Sequence, residues 1–196
     1  MKENIDVTKE LQQKNQELLL NKKKIDLDTA MDSLIVFYDN YSNNIASDIN
    51  SQICVYHGIN PLSEQAKIFD NTINSFFFII SSKLKDVIAN NIEPLKSKLK
   101  TISDDEYRKE LNNISTAIVN QMLDYYAENV NMLCNELNQD VDENTKSKIN
   151  NYLFEVMTIK MINTLKDKFM YSIKVIGNNY EENYQVMENI NEKVLK

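Results

Sequence analysis

The chain has 196 residues and a net charge of −7, from 29 acidic and 22 basic side chains, with two glycines, two prolines and no tryptophan. Sheet-rich folds need Gly and Pro at their many turns, so this scarcity excludes them in favour of long helices joined by a few breaks. The acidic balance, with Arg108 as the only arginine, argues against general nucleic-acid binding, which neutralises phosphates with surplus Lys and Arg.

Residues 1–25 read as a helical N-terminal arm. Leu11, Leu18 and Ile25 recur every seven residues among Lys, Gln, Glu and Asn, and Lys22-Lys23-Lys24 suits a helix C-terminus. Three heptad steps are too short a seam for a coiled coil on their own. A helical bundle is expected over 26–177. Its first helix opens at Asp26 or Asp28 as N-cap and repeats Met31, Leu34, Ile35, Tyr38, Tyr41, Ile45, Ile49, Ile53 and Tyr56 at helical spacing. Gly58 predicts a left-handed cap, and Asn60-Pro61 predicts the start of the next helix. That helix completes a hairpin over 28–92. Within it, Phe76–Ile80 is apolar almost all round, which predicts a mid-bundle turn with neighbours on more than one side. Pro94 is expected to break or kink the helix.

A second hairpin is expected over 103–176. Ser103-Asp-Asp-Glu106 has the spacing of a capping box. The helix after it carries Leu111, Ile114, Ile118 and Met122, with a second apolar stripe at Val119, Leu123, Tyr126 and Val130. Its partner starts after Asp140 or Asp142 and runs through Ile149, Leu153, Val156, Met157, Met161, Leu165, Phe169 and Ile173 to a capping turn at Gly177. Residues 178–196 read as a C-terminal helix bearing Tyr180, Tyr184, Met187 and Ile190. The expected fold is all-α: an elongated antiparallel bundle of about four long helices with extra N- and C-terminal helices.

The residues offer little chemistry. His57 is the only histidine, beside a helix-ending glycine, and reads as a favourable partner of the helix dipole. A zinc site from Cys54, His57 and Cys134 would lack the close-spaced second pair that structural zinc uses, so both cysteines read as small packed hydrophobes. Glycines only at Gly58 and Gly177 leave no phosphate-cradling loop. No catalytic residue, cofactor or metal is therefore expected.

What remains is a non-catalytic helical protein–protein interaction or assembly protein, acting on a protein partner or as a homo-oligomer. Its candidate interface is Tyr125, Tyr126, Val130, Tyr180, Tyr184 and Met187, because Tyr is enriched at interfaces and the second stripes are wider than one core requires. Two alternatives are a membrane-acting bundle, pore-forming or lipid-binding, and an acidic inhibitor of a nucleic-acid-binding protein. The polar N-terminus has no secretory signal, and no run approaches the ~18–20 apolar residues of a membrane span. With two unpaired-looking cysteines, the expected compartment is the cytoplasm. Asn is about one residue in seven, a composition typical of low-GC bacterial or mobile-element proteins.

Overall fold

The computed structural model describes residues 2–172 and 175–176. They form an all-α bundle, with no strand among the described residues. Helix α1 spans Lys2–His57, α2 Glu64–Lys98, α3 Asp104–Leu137 and α4 Glu143–Phe154. From α4 the chain passes through a π-helical stretch, Glu155–Met161, into further helix over 162–172. Each helix packs on the next, and α4 closes the ring against α1. Short joints make neighbours antiparallel. Leu34, Ile49, Ile73, Ile80, Leu84, Leu111, Met122, Leu133, Ile149, Met157 and Phe169 fill the centre.

The breaks arise from local chemistry. Gly58 has φ +63, and its N–H donates to the Val55 carbonyl while Ile59 N–H reaches back to Cys54 at 3.0 Å. This is a Schellman closure, which needs the left-handed backbone that glycine tolerates best. Ser103 and Glu106 form the expected reciprocal capping box, with Ser103 N–H donating to Glu106 Oε2 at 3.0 Å. Asp142, rather than Asp140, caps α4 and accepts from the N–H groups of Asn144 and Thr145. Asp140 instead occupies the left-handed region, with φ 61, in the joint before it.

Four boundary expectations need correcting. No break separates residues 1–25 from the bundle: α1 runs straight through Asp26 and Asp28. The reason lies in tertiary contacts. The inward positions Lys23, Leu27, Met31 and Leu34 hold one register, and the Asp28 carboxylate pairs with Lys96 of α2 at 2.5 Å instead of capping. Lys22–Lys24 is accordingly mid-helix, and Lys23 turns inward to Asp104 (3.1 Å), 5.0 Å over the Tyr107 ring. Asn60 and Pro61 belong to the joint, where Asn60 Oδ1 accepts from Leu62 N–H, and Ser63 is the real N-cap of α2. Pro94 does not end α2, which continues to Lys98. Pro94 and Asn90 both face solvent, so the carbonyl that proline leaves without a donor is on the wet side. Ile92 and Leu95 anchor the helix on either side of it.

The π-helical stretch departs from the regular helix that the apolar spacing predicts. Ile149, Leu153, Met157, Met161, Leu165 and Phe169 are spaced by four throughout, and in an α-helix each four-residue step drifts by about 40°. A turn of roughly 4.4 residues reverses that drift. Val156, Met157, Met161 and Ile162 all stay buried as a result. The expected turn at Gly177 and the helix over 178–196 lie outside the described residues.

Candidate interaction surface

The expected interface residues separate. Tyr126 and Val130 are completely buried, because α3 packs on both α2 and α4 and its second stripe serves the second neighbour. The Tyr126 hydroxyl meets the Tyr38 hydroxyl across the core, and burial holds both phenols neutral by pushing their pKa values up. Tyr125 is half-buried, with the Lys83 ammonium 5.4 Å over its ring. Tyr180, Tyr184 and Met187 lie outside the described residues.

The residues with chemical potential are engaged in packing. His57 Nε2 donates to the Leu137 carbonyl at 2.7 Å, tying the end of α1 to the end of α3, and its ring packs 4.6 Å from that of Phe69. Cys54 and Cys134 are buried free thiols. Burial raises the Cys54 pKa and pushes that of Cys134 up to about 11. Neither is therefore a ready thiolate. Among the described residues no group of three or more His, Cys, Asp or Glu is placed to hold a metal ion.

The feature that stands out is on the outer face of α2. Of the apolar run, Phe77 and Ile80 are buried and Phe76 is half-buried, but Phe78 is 77% and Ile79 55% exposed. The expectation that this turn has neighbours all round is corrected: its outer side meets solvent. Residues 71–82 contain no charged side chain. Asn71, Asn74, Ser75, Phe78 and Ile79 surround a shallow depression of about 530 Å³, and Ile68 extends the same face toward the start of the helix.

Beside it, a cleft of about 440 Å³ runs between α1 and α2, lined by Asp39, Ser42, Phe77, Phe78, Ser81 and Lys85. Ser81 donates its hydroxyl to Asp39, and Lys85 Nζ stands 3.7 Å from the same carboxylate. The surface thus combines an uncharged aromatic–aliphatic ridge with a polar slot carrying one ion pair. Such a surface suits a second helix laid across it, apolar side chains on the ridge and a polar group at the slot. The sequence holds a signal for it. Five consecutive apolar residues on a helix sweep about 400°, so one or two of them must point away from a single core.

Comparison with family models, with curated proteins and with solved structures gives no match. No helix among the described residues is long and apolar enough to cross a membrane.

Proposed function

We propose that this is a non-catalytic helical assembly protein that associates with a second copy of itself through the outer face of α2, centred on Phe78 and Ile79. The observation that carries the reading is the exposure of both side chains on a stretch free of charge. Burying a large apolar side chain contributes roughly 2 kcal/mol. Two copies meeting face to face cover four such side chains, about 8 kcal/mol before the cost of association, so the contact is weak and concentration-dependent. The non-catalytic part of the reading draws support from His57, whose ring is committed to Leu137 and Phe69. Free buried thiols support a reducing, cytoplasmic setting.

The test is solution mass by size-exclusion chromatography with light scattering, on wild type and a Phe78→Ser/Ile79→Ser variant across a concentration series. Wild-type mass should rise above 22.9 kDa with concentration while the variant remains monomeric. A wild type that is monomeric throughout refutes self-assembly. Flotation of the wild type, but not the variant, with liposomes would replace the protein partner by a lipid surface.

A further inference from the structure

Helix α1 is too long for the bundle it belongs to. At 1.5 Å per residue its 56 residues span about 84 Å, against roughly 52 Å for α2. The surplus is at its N-terminal end. From Lys9 to Lys22 no side chain is buried, and the first buried position is Lys23. The end of the fourth helix arrives at this same level. Thr164 meets Tyr41 at 3.4 Å, Lys168 stands 4.6 Å over Phe37, and Ser172 and Ile176 share a cleft of about 230 Å³ with Asp26, Ala30 and Ser33. Each step of four toward the C-terminus of that helix therefore goes with about four back along α1. Beyond Ile176 the axis is directed along the flank of α1 that carries Lys22, Leu19, Asn15 and Lys14.

We propose that residues 177–196 dock on this flank as an antiparallel helix, extending the α1–α4 pairing to the projecting end of α1. Three independent features converge on that occupant. The first is register. Continuing the observed pairing places Tyr184 beside Leu18 and Leu19, and Ile190 beside Leu11. The same register sets Glu181 against Lys22 and Glu188 against Lys14. The second is charge: residues 9–24 carry Lys9, Lys14, Lys22, Lys23 and Lys24 against two glutamates, whereas 177–196 carry Glu181, Glu182, Glu188 and Glu192 against two lysines. The third is length, since twenty residues as a helix span about 30 Å, which matches the unburied part of α1. A covalently attached segment also acts at high effective concentration, which a second copy does not. Tyr180, Tyr184 and Met187 thereby become the apolar face of an intramolecular contact. The inference does not depend on the α2 surface, which is on another side of the bundle.

The experiment is disulfide trapping in the full chain. Leu19→Cys/Tyr184→Cys is the in-register pair and Leu19→Cys/Glu192→Cys, about 12 Å out of register, is the control. Both are oxidised mildly at low protein concentration and read by non-reducing gel and peptide mass mapping. The in-register pair should close within one chain, and the control should stay reduced. A pair that stays reduced, a pair that links two chains, or equal closure of pair and control each overturns the proposal. A second readout avoids cysteine altogether. In Lys14→Glu/Lys22→Glu, amide exchange within 177–190 should accelerate about fivefold, as expected for two lost surface ion pairs. Adding Glu181→Lys/Glu188→Lys should restore it. No change in exchange, or no restoration, counts against the docking.

Discussion

Replacing Tyr126 by phenylalanine removes one oxygen from the middle of the bundle, and the surroundings of that oxygen set the cost. Tyr126 is wholly buried and its partner Tyr38 is 2% exposed, so neither hydroxyl reaches water. The two hydroxyls bond to each other across 88 positions of sequence, joining α1 to α3. With Tyr126 gone, the Tyr38 hydroxyl is left in the core without that partner, at a cost of about 1–3 kcal/mol. Removing both oxygens instead, in Tyr38→Phe/Tyr126→Phe, leaves no orphan and costs little. For 196 residues the unfolding entropy is about 0.4 kcal/mol per kelvin, so a 2 kcal/mol loss lowers Tm by about 5 °C. Urea denaturation of wild type, both single variants and the double variant closes the cycle. The expected order places both singles below the double. A double variant as unstable as the sum of its singles would refute the reasoning, because the oxygens would then act independently rather than as a pair.

The same buried phenols set an alkaline limit. Tyr38, Tyr107 and Tyr126 have pKa values raised above the ordinary 10.0 by burial. Their contribution is therefore complete below about pH 10, where both states are neutral, and is lost above it as the unfolded tyrosines ionise. The urea midpoint should hold between pH 8 and 9 and fall steeply beyond 10, more steeply in wild type than in Tyr38→Phe/Tyr126→Phe. Gly58→Ala meets no atom within 4 Å of its added carbon, so only the positive φ opposes it, and a loss of about 1 kcal/mol in denaturant titration is expected. Ile80→Ala opens a hole at a fully buried site and should cost about 2–5 kcal/mol. Its exposed neighbour, Ile79→Ala, should change monomer stability by no more than about 0.5 kcal/mol. Equal effects at 79 and 80 would contradict the assigned face of α2.

The features legible in the sequence are local. The Ser103–Glu106 box, the Asp142 cap and the Gly58 closure each depend on side chains within a few positions of one another. The features that are not legible depend on partners far away in the chain. Asp28 has the chemistry of a helix cap, and only the arrival of Lys96 from α2 makes it an ion-pair residue in mid-helix. Pro94 has the chemistry of a breaker, and its tolerance rests on facing solvent while Ile92 and Leu95 are held in the core. Tyr126 and Val130 form an apolar stripe that fits an interface as well as a third neighbour. Counting stripes on one helix does not tell how many helices surround it. Phe78 shows the converse, a core-like residue type that the bundle leaves outside. The uninterrupted spacing of four from Ile149 to Phe169 is present in the sequence and carries the π-helical stretch, once the drift per step is worked out.

The unbroken course of α1 makes the molecule a ruler. Phe78 stands level with Ser42 and Asn43 of α1, and Leu11, outward-facing near the opposite end of the same helix, is about 45 Å away along its axis. No joint interrupts that distance, since the backbone hydrogen bonds run continuously from one point to the other. Anything gripping the tip is thus held at a set separation and a set rotation from anything gripping the flank of α2. Two large bodies can occupy the two places without colliding. Inserting one residue into α1 between them would change the separation by only about 1.5 Å but swing one site around the other by about 100°.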